Sequence, residues 1–347
     1  MPRRPGEWQS GSPSLADVAA RAGVSTQTVS RVVNGTANVR EETRERVESA
    51  LDELGYRAHS AARALATGRF GSIGVLCFDL TKFGNLHIVD EAIRRAQADG
   101  YAVYVSSIPD ATDADLQAAV RVLTDQAVDG LIVVEARILD TPRLRLPRDL
   151  PVVVAEGARD IPYPAVGIDH GFGARLAVGH LLGLGHRTVH HVCGLPDSYP
   201  AATRLEGWRA VLAERGRPVP APVAGDWSAA SGYRAAMELL GQHGGDPVTA
   251  IFAANDQMAA GVLRAAADLG RRVPADLSVA GYDDSELAAY LLPALTTVRQ
   301  DLRGVGRRCV DLLVPALRGG DAPSPESVDL VLPGLVVRAS TAAPPAR

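Results

Sequence analysis

The chain has 347 residues, of which 46% are hydrophobic, and a formal net charge of −4 at pH 7. This length allows more than one domain with a sizeable core, and no apolar run is long enough to span a membrane. Cys77, Cys193 and Cys309 are odd in number and far apart, which argues against a disulfide framework and indicates a reduced, cytoplasmic protein. Residues 1–12 are positively charged without a following apolar run, so we expect a flexible tail and no secretory signal.

Residues 15–35 are predicted to form two short helices joined by a tight turn. Ser14 and Asp17 have the spacing of a capping box, which marks the start of the first helix. Gly23 permits the turn, and Ser25 is expected to cap the second helix.

The second of these helices has a polar face with a distinctive chemistry. Val29, Val32 and Val33 are expected to form its buried side. The exposed side would carry short hydrogen-bonding groups and one guanidinium, from Thr26, Gln27, Ser30 and Arg31. Such groups suit the recognition of base edges in a major groove. An ordinary amphipathic helical hairpin explains the same pattern, so both interpretations stay open at this point.

The following residues distinguish the two interpretations. A third helix is predicted over residues 41–54, with Gly55 at its end, and residues 59–66 form an Ala-rich segment with one large apolar residue, Leu65. With these elements in order, the sequence resembles the lactose-repressor family of bacterial transcription regulators. The matching residues are Asp17-Val18-Ala19, Gly23-Val24-Ser25, Thr28-Val29-Ser30-Arg31-Val32, Asn34, Thr43-Arg44, Val47, Leu54-Gly55-Tyr56 and Ala62-Arg63-Ala64-Leu65-Ala66.

From Gly71 onward, short apolar runs alternate with helical patterns. Strands are predicted at 73–78, 101–105, 130–134, 151–155, 188–192, 250–253 and 277–281, and helices at 85–99, 116–126, 174–184, 204–215, 231–240 and 257–269. This alternation predicts two successive parallel-sheet units with right-handed crossovers. Ligands of such units bind beyond the carboxyl ends of the strands, so we expect a cleft between two subdomains.

The resemblance implies the same architecture with more detail. It predicts an N-terminal all-α helix-turn-helix head and hinge helix, followed by an α/β periplasmic-binding-protein-like body of two Rossmann-like subdomains. Chain crossings between the subdomains are expected near Gly167, Arg299 and Val328. The expected divisions are a tail at 1–12, the DNA-binding domain at 13–57, the hinge and linker at 58–70, the effector-binding and dimerisation domain at 71–338, and a flexible tail at 339–347. Within the body, the first subdomain takes 71–167 and 301–327, and the second takes 168–299 and 328–338.

Charge is distributed unevenly between these parts. Residues 1–70 contain ten arginines and eight acidic residues, a net charge of +2, which leaves −6 for the rest. A weakly basic head on an acidic body is typical of a modular DNA-binding regulator.

Polar residues follow the predicted strands of the body. Glu156, Asn255 and Asp283 each come directly after or at the end of an apolar run, Arg204 starts a predicted helix, and Trp227 lies in a predicted loop. Carboxylates, an amide and a guanidinium can pair with vicinal hydroxyls, and an indole face packs against the apolar face of a sugar ring. Each residue taken alone is explained equally well by a helix cap, a loop salt bridge or a core tryptophan.

Four segments resemble the sugar-responsive branch of the family, at 225–232, 254–259, 279–284 and 295–301. By that resemblance the effector should contact Glu156, Arg204, Trp227, Asn255, Asp283 and Gln300. In the first-subdomain wall the contact positions hold Lys82, Asn85 and Ile88, and these depart from the family pattern, as does the longer acid at Glu156. The departures leave the particular sugar open.

Catalytic and metal-binding motifs have little support. The only lysine, Lys82, is followed by Phe83, which excludes a phosphate-binding P-loop, and no Gly-x-Ser-x-Gly motif occurs. Gly171-Phe172-Gly173 lacks the third glycine of a dinucleotide-binding motif. His190 and His191 would point to opposite faces of a strand, so with His186 they do not form a simple metal site. We predict no catalytic residue, no cofactor and no metal.

The leading hypothesis is a homodimeric repressor that a small carbohydrate releases from a palindromic operator. Thr26, Gln27 and Arg31 would lie nearest the bases, while phosphates would be held mainly by Ser14, Ser25, Thr28, Ser30, Asn34 and Arg44. Tyr56 belongs to the same predicted interface. Leu65 from both subunits would wedge into the minor groove, with Ala62 allowing close packing of the hinge helix.

Two alternatives are retained. In the first, a corepressor that is not a sugar strengthens operator binding. In the second, the chain is a solute-binding protein, or an enzyme on such a body, without a DNA-regulatory role. The C-terminal residues 338–347 show no apolar heptads, so a dimer without a tetramerising coiled coil is expected.

Overall fold

The computed structural model describes residues 13–33, 39–56, 69–108, 113–134, 146, 150–157, 161–241, 247–321 and 323–346. The chain divides into two compact units, Met1–Gly71 and Ser72–Arg347, which we call the head and the body. In the described part of the chain, no helix is both long enough and apolar enough to cross a membrane.

The head contains three helices, α1 (Leu15–Ala22), α2 (Thr26–Val33) and α3 (Glu41–Leu54). The predicted capping box is confirmed, because the Ser14 side chain accepts from the Asp17 backbone and the Asp17 side chain accepts from the Ser14 backbone. Gly23 ends α1 in the left-handed conformation with φ 66°, and Ser25 Oγ accepts from the Thr28 N–H at 3.1 Å. Val18, Val29 and Val47 are fully buried between the helices.

The predicted hinge helix and Asn34 lie outside the described residues. This holds for Ala62 and Leu65 in particular.

The body begins with a parallel six-stranded sheet, the core of the first subdomain. Its strands run in the order β11-β5-β4-β3-β1-β2. The strands are β1 (Ser72–Phe78), β2 (Ala102–Ile108), β3 (Gly130–Val134), β4 (Val152–Ala155), β5 (Ala165–Ile168) and β11 (Val328–Val331), and the helices packed with them are α4 (Phe83–Ala98), α5 (Asp113–Asp125) and α10 (Leu302–Leu317). The central strands are buried on both faces, which explains why they are continuous Val, Ile and Leu runs.

A second six-stranded sheet forms the core of the second subdomain, in the order β12-β10-β9-β8-β6-β7. Its strands are β6 (His190–Cys193), β7 (Val223–Ala224), β8 (Ala250–Ala253), β9 (Ser278–Asp283), β10 (Thr296–Arg299) and β12 (Gly334–Val336), and its helices are α6 (His170–Gly183), α7 (Tyr199–Glu214), α8 (Ala229–Gly241) and α9 (Asp256–Asp268). A short 3-10 turn spans Glu286–Ala289. Within this sheet β12 is antiparallel to β10, while the other pairings are parallel.

The chain passes between the subdomains three times, and the third passage differs from the prediction. Val328 was expected to open the last segment of the second subdomain. However, β11 pairs in parallel with β5, from Val328 opposite Ala165 to Val331 opposite Ile168, and therefore belongs to the first sheet. The passage occurs at residues 332–333, where Pro333 precedes β12. Apolar residues occur on both sides of Pro333, and their pattern gave no sign of which sheet would accept each part.

The expected flexible tail at 339–347 is also corrected over its first residues. Ser340 is fully buried, because its Oγ accepts from the Thr296 N–H at 2.8 Å and donates to the Val279 carbonyl at 2.6 Å. Its own carbonyl accepts from the Val279 N–H at 2.9 Å. Ala342 continues the contact through bonds with Ser278. The segment lies against β9 and β10 as a fixed part of the second subdomain.

Replacing Ser340 with Ala should destabilise the body. The substitution leaves the buried Thr296 N–H without its partner, which costs about 1–3 kcal/mol. Equilibrium denaturation of the full chain measures the difference. Ala343→Ser, at an exposed position three residues later, is the matched control and should change stability by less than about 0.5 kcal/mol. Equal stability of Ser340→Ala and the parent would contradict the packed position of this segment.

Candidate functional site

A cavity of about 410 Å³ lies between the two subdomains. From the first subdomain it is lined by residues that follow β1 and β4, and from the second by residues that follow β6, β8 and β9. The carboxyl ends of parallel strands thus face the cavity from both sides, as expected for a ligand site of this architecture.

Eight residues that sequence reasoning selected as effector contacts line this cavity. They are Lys82, Asn85, Glu156, Arg204, Trp227, Asn255, Asp283 and Gln300. The ninth, Ile88, does not. It is fully buried in the core of the first subdomain, because it lies one helical turn beyond Asn85 on the side of α4 that faces the sheet.

Arg204 is a buried cation at the centre of the cavity wall, with 4% of its surface exposed. It does not start a helix as predicted but lies in the second turn of α7, which begins at Tyr199 after the Ser198 cap. Its Nη1 donates to the Ala254 carbonyl at 2.5 Å, and its guanidinium stacks 3.7 Å from the centroid of the Tyr282 ring. These contacts offset the cost of burying the charge and fix the guanidinium in place.

Asp283 and Gln300 form a polar pair next to this guanidinium. Gln300 Nε2 donates to Asp283 Oδ1 at 2.6 Å, and Arg204 Nη1 lies 3.9 Å from the same oxygen. Burial raises the pKa of the Asp283 carboxyl to about 8, although the charge of Arg204 opposes this shift. Arg204 Nε and Gln300 Oε1 are buried without a hydrogen-bond partner from the protein.

Asn255 connects the cavity to the loop that carries the indole. Its Oδ1 caps α9 by accepting from the Met258 N–H at 2.8 Å, and its Nδ2 donates to the Trp227 carbonyl at 3.0 Å. Substitution of this amide would therefore disturb both the start of α9 and the position of the loop.

The indole ring of Trp227 packs directly against Gly194. A Cβ at Gly194 would overlap the indole ring, so this position has to lack a side chain. The indole in turn lies 5.6 Å from the Arg204 guanidinium, measured to the ring centroid. The aromatic face and the buried cation thus form adjoining parts of one wall.

Backbone strain is concentrated at the cavity. In the part of the chain that the structure describes, four of the non-glycine residues with positive φ line it: Asp79 (53°), Glu156 (57°), Trp227 (72°) and Asp283 (121°). Such conformations cost about 1–3 kcal/mol each and persist where the surroundings impose them, often at ligand sites.

Two polar residues of the first-subdomain wall are already engaged with the protein. The Asn85 amide donates to the Phe78 carbonyl and, at 3.2 Å, to the Asp79 carbonyl. Lys82 Nζ lies 3.4 Å from Asp79 Oδ2 and is 43% exposed. Asn85 therefore holds the turn after β1, and Lys82 stands at the mouth of the cavity.

Sequence reasoning missed His170, which is 3% exposed and also lines the cavity. Its Nε2 lies 2.5 Å from Glu156 Oε2, and its Nδ1 lies 3.2 Å from Arg204 Nη2. Burial lowers the pKa of His170, although Glu156 opposes this, so the ring is neutral near pH 7. His170 is the second residue after β5, but no strand was predicted at 165–168, so the strand-end rule that selected Glu156, Asn255 and Asp283 did not reach it.

Further polar residues line the cavity and were also missed. Gln257 lies in the first turn of α9, and the others lie between helices and strands: Asp79, Thr81, Asp197, Ser198, Asp226 and Ser228. Short polar residues at such positions are too common to be selected singly from the sequence.

Two motifs that sequence reasoning set aside have structural explanations. Gly173, in the dinucleotide-like triplet, lacks a Cβ that would overlap the Tyr282 hydroxyl. His191 stacks on Phe252 with ring centroids 4.8 Å apart, while its neighbour His190 is half-buried. Adjacent strand residues point to opposite faces, as predicted.

The head carries a separate polar surface. Thr26, Gln27 and Arg31 of α2 are exposed, and Ser30 is half-buried. This confirms the polar and apolar faces predicted for α2, because Val29 and Val32 lie on the opposite, buried side.

The remaining described residues of the predicted head interface have local partners. Ser14 Oγ donates to Asp17, the Ser25 and Thr28 hydroxyls lie 2.9 Å apart, and Arg44 Nε lies 3.8 Å from Glu41. Tyr56 is half-buried against the head core. The side chains at the helix starts are therefore pre-positioned by hydrogen bonds within the head.

The head presents a helix with an exposed polar face, and the body has two subdomains around a cavity. This combination is typical of ligand-responsive DNA-binding regulators. Two family descriptions match the chain: "Bacterial regulatory proteins, lacI family" over residues 14–59 and "Periplasmic binding protein-like domain" over residues 178–341.

Individual relatives agree with this class. The lactose operon repressor of Escherichia coli (strain K12) is 37% identical over 342 residues, which covers 95% of this chain and 91% of the relative. A crystal structure of the lac repressor dimer bound to operator and the anti-inducer ONPF has a TM-score of 0.86 at 36% identity, covering 96% of this chain and all of the other. The complex of the transcriptional regulator CelR with cellobiose has a TM-score of 0.70 at 30% identity, covering 94% and 99%. The chain belongs to the lacI family and is a DNA-binding transcriptional repressor of that family.

A Gly194→Ala substitution should displace the indole of Trp227, since the added methyl group occupies the position of the ring. We expect the tryptophan emission of the variant to differ from that of the parent. In a Trp227→Phe background the same substitution should leave the emission of Trp8 and Trp208 unchanged. Gly183→Ala, at a position with open space around it, is the control and should change neither. Tryptophan emission of Gly194→Ala equal to that of the parent would contradict the close contact between Gly194 and the Trp227 indole.

Proposed function

We propose that the protein is a homodimeric repressor whose operator affinity is lowered by a neutral carbohydrate bound in the cavity between the subdomains. The observation that carries this proposal is the composition of one wall: an indole, a buried guanidinium, a carboxylate and two amides. They belong to Trp227, Arg204, Asp283, Asn255 and Gln300. A sugar ring needs both an apolar face to pack against and paired donors and acceptors around its rim.

The charge of the cavity favours a neutral ligand over a phosphorylated one. In the described residues that line it, four carboxylates stand against two cations: Asp79, Glu156, Asp197 and Asp226 against Lys82 and Arg204. Asp283 is left out of this count because burial raises the pKa of its carboxyl. The carboxylates of Asp79 and Asp226 are held in the charged form by bonds from Thr81 and Ser228, which lower the pKa of each carboxyl. A phosphate group would meet this negative field, whereas hydroxyl groups can donate to the carboxylates.

The unpaired polar atoms support the same class of ligand. Arg204 Nε is a donor and Gln300 Oε1 an acceptor, and neither has a protein partner. A hydroxyl group is both donor and acceptor, so a polyhydroxylated ligand next to these side chains can satisfy both after a small shift.

Two sets of exposed apolar side chains support a dimer. In the first subdomain Tyr104 and Val105 are exposed on β2, an edge strand. In the second, Leu287, Tyr290 and Leu292 are 71%, 78% and 95% exposed. Exposed apolar residues close together in this way indicate a protein contact surface, and the lac repressor noted above was solved as a dimer.

In the head, the exposed Thr26, Gln27 and Arg31 side chains support major-groove recognition by α2. A two-fold dimer would place two such helices on a palindromic operator. The hinge residue Leu65 completes the proposed interface by wedging into the minor groove between the two half-sites.

Operator binding tests the DNA half of this proposal. The operator is first selected from random duplexes with the full-length protein. Arg31→Ala and Leu65→Ala should each weaken its binding about 10- to 100-fold, since a good base contact is worth about 1–3 kcal/mol, with much less effect on nonspecific DNA.

Arg264→Ala, which removes an arginine of the body that pairs with Asp268, is the control and should bind the operator like the parent. Unchanged operator affinity in both head variants would contradict the proposed contacts of α2 and Leu65 with DNA. Failure to select any operator from the random duplexes would favour a binding protein without a DNA-regulatory role.

A thermal-shift screen tests the ligand half. At least one neutral mono- or disaccharide should raise the melting temperature of the protein. At a concentration of one hundred times its Kd, such a ligand stabilises the folded state by about 2.7 kcal/mol. The phosphorylated forms of the same sugars should not raise the melting temperature. Asp283→Asn should weaken binding of the effective sugar at least about tenfold, because an NH2 donor replaces one of the two carboxyl oxygens in the wall.

Asp268→Asn, outside the cavity, controls for loss of an acidic residue. Stabilisation by phosphorylated sugars alone would overturn the neutral-ligand assignment. A sugar that strengthens operator binding would identify a corepressor instead of an inducer.

A further inference from the structure

One buried histidine forms a direct polar connection between the two subdomains. His170 begins α6 immediately after the first chain crossing. On one side its Nε2 is 2.5 Å from Glu156 Oε2, at the end of β4 in the first subdomain. On the other its Nδ1 is 3.2 Å from Nη2 of Arg204, in the second subdomain. The imidazole thus stands between a carboxylate and a guanidinium that do not hydrogen-bond each other directly.

We propose that His170 is a positioning residue that couples Arg204 to Glu156, so that movement of the guanidinium toward a ligand changes the contact with the first subdomain. The contacts stand independently of any ligand. The consequence for operator release rests on the proposed function.

The chemistry of the partners fixes the proton on the ring. A guanidinium has only donors, so Arg204 donates and Nδ1 must accept. In a neutral imidazole the other nitrogen then carries the proton, and Nε2–H donates to Glu156. The result is a directional chain from guanidinium through imidazole to carboxylate, in which each bond depends on the next.

The surroundings leave the three groups few alternative partners. Glu156 Oε1 is already occupied by the Ile168 N–H at 2.9 Å, and the Tyr282 hydroxyl lies 3.4 Å from His170 Nδ1. Glu156 and Arg204 are both about nine-tenths buried or more, so neither can replace a lost bond with bulk water. A guanidinium that turns toward a ligand therefore weakens its bond to Nδ1, and the change reaches Glu156 through the ring.

A triple-mutant cycle tests the connection without any ligand. Glu156→Gln and Arg204→Lys are combined in the parent and in His170→Asn, and the unfolding equilibrium is measured for each full-length variant. Asn keeps an acceptor near the position of Nδ1 but does not extend to Glu156. In the parent, the unfolding equilibrium constant of the double variant should differ at least about twofold from the value expected if the two substitutions acted independently. In His170→Asn the effects of the two substitutions on the free energy of unfolding should be additive.

Additive effects in the parent, or the same coupling with and without His170, would overturn the proposal. His180→Asn supplies the matched control: it changes a half-buried histidine on the same helix, bonded to Thr341 at 2.9 Å, and should leave the coupling intact. If a doubly substituted chain does not fold, ¹⁵N-histidine NMR of the parent still decides. A neutral His170 with its proton on Nε2 is expected at pH 7, and a proton on Nδ1 or a charged ring would overturn the proposal.

Cellobiose and lactose are the probes for the functional consequence. If one of them binds the parent and lowers operator affinity, the operator affinity of His170→Asn is compared without the sugar and at a concentration that saturates this variant, whatever its own Kd. The variant should lose most of the about 5- to 150-fold effect typical of such coupling. Full retention of the effect would overturn the role of His170 in transmission. If neither sugar binds the parent, the carbohydrate assignment is put in question, while the cycle and the NMR measurement still decide the role of His170.

Discussion

The buried guanidinium of Arg204 is the constraint on which the candidate site depends. Burying a charge that is 4% exposed costs free energy, which hydrogen bonds and a polarisable aromatic neighbour offset. Here the partners come from separate elements: the Ala254 carbonyl after β8, the Tyr282 face on β9, and the His170 ring at the start of α6. Arg204 can be buried on α7 only because the second subdomain brings these elements together. The same contacts therefore stabilise both the fold of this subdomain and the cavity wall.

Parallel sheets make this convergence possible. In both subdomains the strands end at the cavity, and the chain changes direction there through residues with positive φ, such as Glu156 and Asp283. Glycines complete the fit where side chains approach closely: Gly194 makes room for the indole of Trp227, and Gly173 makes room for the Tyr282 hydroxyl. The wall is therefore formed largely in advance, and a ligand would spend little binding energy on ordering it.

Sequence reasoning succeeded where a local rule decides the structure. The capping box at Ser14, the end of α3 at Gly55 and the polar face of α2 each follow from spacing within one element, and each was predicted. Glu156, Asn255 and Asp283 could be selected because each follows or ends a buried strand. Family resemblance added Gln300, which no apolar pattern would have selected.

It failed where tertiary packing decides. Ile88 and Asn85 are one helical turn apart on the same face of α4, and only the packing of α4 shows that Asn85 reaches the cavity while Ile88 lies in the core. The sequence around β11 does not indicate that this strand pairs with β5. In the same way, the short segment around Ser340 does not indicate that it packs against the second sheet. His170 was missed because a histidine near a strand end acquires its role only from the carboxylate and guanidinium on either side of it.

The central claim is that ligand and operator binding are linked through one protein. Thermodynamic linkage requires the effect to be reciprocal, so the direct test is calorimetric titration of the effective sugar into the free protein and into its complex with saturating operator DNA. The sugar should bind the complex more weakly, by the same factor by which it weakens the operator, typically about 5- to 150-fold. Equal sugar affinity in the presence and absence of operator would contradict the account.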